Sequence, residues 1–522
     1  MQILNSAGSR LIIISILALN LPAAARQAAT QAPPPVTPND ATVDPEADRL
    51  RGSVIKFKCK LEPRSPTRPW KLEPVRDIGG SGVVIAPGRV LTNAHVVHEA
   101  SEVLLETDKT PLPVLGKVIA VDLGRDLAVI EVDDADFNAA HPAVEMLSGL
   151  PKDGCRVTVM GFPLGGESMS TTSGVVSRSE WSDVGHHNEA GMRVQIDAAV
   201  NFGNSGGPAF VDGKLAGLVF SGMDKMMTDN ISYLIATEEI GRMLTEVKSG
   251  RIDGNCVLHA ETQTLENPAL RQKLGIAAGT SGVVVIGNKD GPLQPWDIIT
   301  KANGMAIDNK GQVTIEGGRK VDMACAFGRF DRSKDGLTIP VEVIRAGQTM
   351  TVDVPAIGER DGVIRSRPNG DYPYLVCGPL AFGPLHQDLL RSDDFDGQRL
   401  MYLGGGPTLQ YLLDTRPSKG REVVGVLCPQ MSSPIARGYS VKSGQTVKTV
   451  NGKPVSNFGE FVDLMRDSDG EWLVLEFNET GIERLVFRRA EFLESTERVM
   501  ESNGIRQQAS KDIRDRWTQK PK

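Results

Sequence analysis

Three separated polar side chains in this sequence have the residue types that a serine nucleophile requires. Ser205 lies in the segment GNSGGP at 203–208, where glycines leave the backbone open to a substrate carbonyl. A serine hydroxyl needs a neighbouring base to take its proton, and an imidazole base needs a carboxylate that fixes its tautomer. His95 and Asp126 fit these two roles, because each adjoins a β-prone apolar run that ends or begins at a turn. The three residues therefore predict acyl-transfer chemistry.

The order of these residues along the chain narrows the prediction. His95, then Asp126, then Ser205 is the order of chymotrypsin-type enzymes, whereas subtilisins and α/β-hydrolases use other orders. Acyl transfer places negative charge on the carbonyl oxygen, and a pair of backbone N–H groups stabilises that charge at low cost. The N–H groups of Gly203 and Ser205 are the predicted donors of this oxyanion hole.

The strings that carry these residues closely resemble those of a known family. TNAHV at 92–96, DLAV at 126–129 and GNSGG at 203–207 are similar to the triad motifs of the HtrA/Deg (DegP-like) family of PDZ-containing trypsin-like serine proteases. Within that family the sequence looks closest to the plant nuclear-type Deg proteases. The resemblance implies ATP-independent endoproteolysis of unfolded or damaged proteins without a cofactor. It also implies a homo-oligomer, a trimer or a multiple of trimers.

Four further residues are candidates for substrate binding in the protease domain. Ala199 stands six residues before the nucleophile, which in chymotrypsin-like folds is the floor of the specificity pocket. With no carboxylate there, the sequence favours cleavage after a modest apolar residue over cleavage after Lys or Arg. The strand that pairs with the substrate backbone is predicted at Val219, Phe220 and Ser221.

Short β-branched runs separated by glycine-rich turns predict a mostly β chain. The predicted architecture is a chymotrypsin-like double β-barrel protease domain followed by two PDZ-like α+β domains. The predicted segments are a signal peptide at 1–25, a disordered linker at 26–48, the protease domain at 49–250, a first PDZ domain at 255–357, a second PDZ-like domain at 370–490 and a charged helical tail at 491–522.

The first PDZ-like segment contains a candidate carboxylate-binding loop. A helix-like stretch at 267–273 leads into Leu274-Gly275-Ile276, where family members bind the carboxylate of a peptide C-terminus through backbone N–H groups. An adjacent edge strand would pair with the peptide. The predicted partners are therefore unfolded polypeptides and peptide C-termini.

The N-terminus predicts export. Arg10 precedes an apolar stretch at 11–21, and three alanines at 23–25 form a cleavage site, as in a secretory signal peptide. We expect a location in the bacterial periplasm or cell envelope, with no stable membrane span after cleavage. The alternative is an uncleaved N-terminal anchor.

Composition excludes some partners. The chain has 522 residues with 58 basic and 65 acidic side chains, a net charge of −7 that argues against a nucleic-acid partner. Six widely spaced cysteines lack zinc-ligand spacing, and buried free thiols are the favoured interpretation over disulfides.

Two other function classes use the same residues. A chaperone or PDZ adaptor could keep the protease fold with little proteolysis, and a small-acyl esterase could use the same triad. The intact triad argues against the first class, and the PDZ-like appendages argue against the second.

Overall fold

The computed structural model describes residues 45–107, 109, 112–163, 168–183, 190–220, 231–287, 291–358, 361–365, 367, 372–392, 408, 411, 420–479 and 484–519. The predicted signal peptide and most of the predicted linker lie outside these residues. Within this described part of the chain, no helix is long and apolar enough to cross a membrane. All six cysteines are free, and five of them are buried.

The first half of the protease region is a seven-stranded antiparallel sheet with the order β5-β4-β1-β2-β3-β7-β6. Its inner face is a core of alternating valines, leucines and phenylalanines. The strands are β1 Val54–Leu61, β2 Arg76–Ala86, β3 Arg89–Thr92, β4 Ala100–Glu106, β5 Val114–Leu115, β6 Lys117–Asp122 and β7 Leu127–Glu131. The helices are α1 Pro45–Gly52, α2 Ala94–Val97 and α3 Ala135–Ala140.

The second half of the protease region is a closed six-stranded barrel with the order β10-β13-β12-β11-β8-β9. Helix α4, Thr237–Ser249, follows its last strand and ends at Gly250, whose left-handed backbone (φ 76°) terminates the helix. The strands are β8 Arg156–Gly161, β9 Ser170–Ser182, β10 Gly191–Ile196, β11 Pro208–Val211, β12 Lys214–Phe220 and β13 Ser232–Ala236.

The next segment is an α+β unit in which β15 lies at the edge of a sheet with the order β15-β16-β17-β21-β22, and β18 pairs with β17. Two strand pairs, β14 with β23 and β19 with β20, flank this sheet. The strands are β14 Cys256–Val257, β15 Glu261–Thr264, β16 Val283–Gly287, β17 Ile298–Ala302, β18 Met305–Ala306, β19 Gln312–Thr314, β20 Lys320–Asp322, β21 Thr338–Arg345, β22 Gln348–Pro355 and β23 Ile357–Gly358. The helices are α5 Pro268–Lys273, α6 Ala324–Gly328 and α7 Arg332–Asp335.

The last segment contains two small sheets, β24-β25-β26 and β28-β27-β29-β30. Its strands are β24 Leu375–Cys377, β25 Leu380–Pro384, β26 Val424–Val426, β27 Val447–Val450, β28 Lys453–Pro454, β29 Trp472–Phe477 and β30 Leu485–Arg488. Its helices are α8 Gln387–Arg391, α9 Phe458–Asp467, α10 Arg489–Ser502 and α11 Lys511–Thr518.

The two C-terminal helices belong to the core of this last segment. Phe492 of α10 and Ile513 of α11 are buried in the same apolar cluster as Phe461 of α9. The segment at 491–522, which the sequence separates as a charged tail, therefore contributes apolar side chains to the fold. The domain boundaries themselves stay predictions, whereas the predicted mostly β architecture is confirmed.

Candidate active site

His95 and Asp126 meet through direct hydrogen bonds. His95 lies on the one-turn helix α2, which begins two residues after β3 ends, and Asp126 immediately precedes β7. Because β3 pairs with β7, the two residues arrive at the same edge of the sheet. The ring Nδ1 of His95 lies 2.8 Å and 3.0 Å from the two carboxylate oxygens of Asp126. An ionised carboxylate can only accept, so Nδ1 carries the proton and Nε2 is left as the basic nitrogen.

The backbone around Asp126 fixes this geometry. Asp126 is 2% exposed and has a left-handed backbone (φ 59°), an uncommon conformation for a residue other than glycine. Its carboxylate also accepts the backbone N–H of His95 at 3.0 Å, and its carbonyl accepts Nδ2 of Asn93 at 2.9 Å. The carboxylate is thus oriented by both the ring and the backbone of the residue that it serves.

The pKa of His95 reflects this pairing. Burial alone lowers the pKa of the imidazole, but the charge of Asp126 and its hydrogen bond outweigh burial and raise the pKa above its ordinary value. The imidazolium that forms when His95 takes a proton is therefore stabilised. This is the electrostatic requirement for a general base that abstracts a proton from a hydroxyl.

The loop that carries Ser205 is tied to the other half of the protease region. The carbonyl of Ser205 accepts the N–H of Ser81 on β2 at 2.9 Å, and Oγ of Ser81 donates to the carbonyl of Gly203 at 2.8 Å. Gly206 approaches the end of β3 so closely that a Cβ there would lie 2.3 Å from Oγ1 of Thr92. The loop of Ser205 therefore packs against the residues that directly precede His95, so the structure brings the three predicted residues into one region.

The predicted oxyanion donors have the backbone that such a site needs. Gly203 is left-handed (φ 94°), and Ser205 is only 6% exposed. In the part of the chain that the structure describes, the backbone N–H groups of Gly203 and Ser205 donate to no protein acceptor. Two unused donors two residues apart can stabilise a developing oxyanion.

The predicted substrate-binding residues have different environments. Ala199 is exposed and follows β10 by three residues, and its role as the pocket floor stays a prediction. Val219 already pairs with the nucleophile loop, since its N–H donates to the carbonyl of Gly207 and its carbonyl accepts from Gly206, both at 2.9 Å. Phe220 is 1% exposed in the barrel core, and Ser221 lies outside the described residues. Val219 thus holds the loop of Ser205, and because its N–H and carbonyl groups already have partners, the geometry does not support its pairing with substrate. The role of Phe220 stays a prediction.

The predicted carboxylate loop caps a helix instead. Leu274, Gly275 and Ile276 donate their N–H groups to carbonyls of 270–272 at 3.0 to 3.4 Å, and Gly275 is left-handed (φ 61°). Leu274 and Ile276 pack against the apolar cluster of Leu265 and Val284. Because these N–H groups already have acceptors, the geometry does not support their prediction as carboxylate donors.

Two residues that support the site were missed by sequence reasoning. Ser81 joins β2 to the nucleophile loop, and Arg125 anchors the turn of Asp126 from inside the protein. The signal that could have identified Arg125 is a charged residue two positions before an apolar strand. The described residues contain no group of three or more His, Cys, Asp or Glu side chains suited to a metal ion.

The barrel, the facing sheet and the His95–Asp126 pair together define a serine endopeptidase with a trypsin-like fold. A model of the trypsin-like peptidase domain matches residues 80–218, and a model of the PDZ domain matches residues 365–512. The chain is homologous to the Do-like, DegP and HtrA proteases, so the family and the endopeptidase activity predicted from its motifs are confirmed.

Three similar proteins illustrate the relationship. Protease Do-like 2, chloroplastic, of Arabidopsis thaliana is 28% identical over 88% of this chain and 75% of its own length. A probable periplasmic serine endoprotease DegP-like of Pseudomonas savastanoi is 31% identical over 53% of this chain and 56% of its own length. Among solved structures, the HtrA-type protease AlgW with tripeptide is 23% identical, with a TM-score of 0.47, over 59% of this chain and 95% of its own.

Proposed function

We propose that this protease cleaves polypeptides through the triad of Ser205, His95 and Asp126. The observation that carries the proposal is the Nδ1 contact between His95 and Asp126, which is 2.8 Å long beside the docked loop of Ser205. Nε2 of His95 takes the hydroxyl proton of Ser205 as its oxygen attacks the scissile carbonyl, and Asp126 stabilises the imidazolium. The N–H groups of Gly203 and Ser205 receive the oxyanion.

The second half of the reaction uses the same groups. The imidazolium of His95 gives its proton to the leaving amine, and the acyl group remains on Ser205. His95 then deprotonates a water molecule that attacks the acyl-enzyme, which releases the new C-terminus and restores the hydroxyl. Every proton in this scheme passes through Nε2 of His95, so its pKa sets the pH dependence.

Unfolded or damaged polypeptides are the proposed substrates. The edge strand β15 exposes most of its side chains and has a neighbouring strand on only one side within its sheet, so an extended chain can pair with its free edge. Folded proteins rarely present a free extended segment, whereas unfolded chains do. The first PDZ domain, proposed at 255–357, would thus bring a chain to the protease domain, proposed at 49–250.

Export and assembly complete the proposal. The sequence at 1–25 supports secretion to the periplasm or cell envelope of a bacterium, followed by assembly as a homo-oligomer. One relative is named as periplasmic and another as chloroplastic, so the names of the relatives give no single location. Expression with and without 1–25, followed by cell fractionation, tests this part of the proposal.

The test of the chemistry compares the purified protein with its Ser205→Ala variant on denatured casein and on a short-chain ester. We expect the wild-type protein to shorten casein and the variant to leave it intact while still folding. Ester hydrolysis without casein cleavage would establish the esterase alternative, and suppression of casein aggregation without cleavage would establish the holdase alternative. Casein cleavage by Ser205→Ala would overturn the assignment of the nucleophile.

A further inference from the structure

The residue that precedes Asp126 is buried among carboxylates. Arg125 is 1% exposed, although arginine is among the residues least often buried without partners. Its Nη1 donates to Asp122 at 3.1 Å, and its two Nη atoms form a fork on the carboxylate of Glu246 at 3.0 and 2.8 Å. Its Nε lies 3.3 Å from a carboxylate oxygen of Glu239. Three acidic groups from two parts of the fold thus hold one guanidinium.

These partners fix the turn from which Asp126 projects. Asp122, which is fully buried, also accepts the backbone N–H of Arg125 at 2.9 Å. The chain then enters the left-handed conformation at Asp126, which costs energy unless the surroundings maintain it. The side chain of Arg125 anchors this turn to helix α4 through Glu239 and Glu246. The position of the carboxylate that orients His95 therefore depends on a contact with α4.

The same cluster reaches the linker to the first PDZ domain. Oδ1 of Asn255 accepts from Nε and Nη2 of Arg125 at 3.2 and 3.1 Å. The N–H of Asp253 donates to Glu246 at 3.0 Å, so the linker contacts the cluster at two residues. Both residues lie between the end of α4 and β14, the first strand of the PDZ-like unit.

Residues inside the PDZ-like unit extend the network. Nη2 of Arg332 on α7 donates to the carbonyl of Asp253 at 2.9 Å. Arg242 on α4 donates to Glu239 at 2.6 Å and also donates to the carbonyl of Gly328 on α6. The PDZ-like unit is thereby joined to the carboxylates that hold Arg125 by two routes, one through Asp253 and one through Arg242.

We propose that Arg125 is a positioning residue: its contacts with Glu239, Glu246 and Asn255 fix the turn of Asp126, and so fix how Asp126 orients His95. Without these contacts the left-handed turn at Asp126 has lost its anchor. Arg125 itself touches no substrate.

The proposal rests on the proposed triad, so its test uses a reagent that reports the reactivity of Ser205 directly. A fluorophosphonate probe reacts with a serine whose base is correctly placed, and its rate constant needs no protein substrate. The full chain is compared with Arg125→Lys, Arg125→Met and Asn255→Ala at a temperature below the unfolding transition of each. Arg319→Ala is the matched control, since Arg319 joins the PDZ-like unit to Asp153 and Pro151 and contacts no residue of the cluster.

We expect Arg125→Met to lower the labelling rate constant by about tenfold to a hundredfold, the usual effect of misplacing a catalytic group. Arg125→Lys keeps the positive charge but cannot form both hydrogen bonds to Glu246, so its labelling rate constant should fall less than that of Arg125→Met. Asn255→Ala should lower kcat for a short peptide with little change in KM. Arg319→Ala should stay within about twofold of wild type, because it leaves the turn intact.

The outcomes separate this proposal from the proposed triad. Wild-type protein that fails to label at Ser205 would refute the triad itself. If the wild-type protein labels normally, a folded Arg125→Lys or Asn255→Ala protein with the wild-type rate constant and kcat refutes the positioning role of this cluster. If Arg125→Met fails to fold, Arg125→Lys and Asn255→Ala still test the proposal, because both variants keep a positive charge at position 125.

Discussion

At the scale of single residues, the proposed chemistry depends on the pKa of the His95 imidazole, which burial lowers and the charge of Asp126 raises. Burial disfavours the protonated form of His95, and the carboxylate of Asp126 favours it more strongly. The pKa of His95 is therefore raised, and the neutral, basic form predominates only above that raised pKa. In the proposed triad the neutral form is the base that activates Ser205, so kcat/KM should rise with pH through the pKa of His95.

The Asp126→Asn variant tests this electrostatic balance. An amide has no negative charge, so burial alone remains and the pKa of His95 falls. The rise of kcat/KM should then move to lower pH, while its plateau drops by about ten-thousand-fold because the wrong imidazole tautomer is favoured. A pH profile with a chromogenic peptide measures both effects. The control is Asp133→Asn, which makes the same change at an exposed position just after β7. A pH profile that does not shift in Asp126→Asn would contradict the pairing of Asp126 with His95.

How far the sequence predicts the site depends on whether a residue's partners lie within its motif or far along the chain. His95, Asp126 and Ser205 lie in motif strings, and the structure brings their segments together. The prediction is weakest at Val219 and the loop 274–276, because the sequence does not show whether a backbone N–H group already has an acceptor in the fold. Arg125 was missed for the same reason: its partners Glu246 and Asn255 are 121 and 130 residues away in the chain.

At the scale of elements, the nucleophile loop and the end of β3 are held in contact by glycine. Gly206 is left-handed (φ 80°), and a Cβ there would lie 2.2 Å from the carbonyl oxygen of Ser81, which is a backbone atom. Such a contact cannot be relieved by rotating a side chain. Because residue 206 has no side chain, the loop of Ser205 in the barrel can pack against the sheet that carries His95.

The Gly206→Ala variant separates this close approach from backbone strain. Gly154→Ala is the matched control, because Gly154 is also left-handed (φ 77°) but a Cβ there would meet no atom within 4 Å. Both variants should lose about 1 to 2 kcal/mol of unfolding free energy from strain. Gly206→Ala should lose more unfolding free energy than Gly154→Ala. Its kcat/KM should also fall by at least about a hundredfold, because the added Cβ displaces the loop of Ser205. Chemical denaturation and peptide hydrolysis measure these effects; equal activity in the two variants would contradict the role of the contact.

At the scale of the whole molecule, the two PDZ-like units differ in the edge that they offer to a peptide. In the first unit β15 ends its sheet and has β16 on one side only. In the second unit β25 is paired with β26 on one side and with β24 on the other. The outer edge of β24 is covered in turn, because Val376 donates its N–H to Gln508 at 2.8 Å. The chain therefore covers the outer edge of β24 with its own residues.

This difference predicts which unit binds an extended peptide. A peptide with a photoreactive residue near its free C-terminus, irradiated with the Ser205→Ala protein, should crosslink to the unit at 255–357 and not to the unit at 365–512. The reason is that β-strand addition needs an edge with unused N–H and carbonyl groups, which β15 offers and the strands β24 and β25 do not. The same peptide with a C-terminal amide should crosslink to a similar extent, because strand pairing needs no carboxylate and the N–H groups of 274–276 already have acceptors. Crosslinks that map mainly to β24, β25 or α10 would show that the covered edge opens, and would reverse the assignment of the two units.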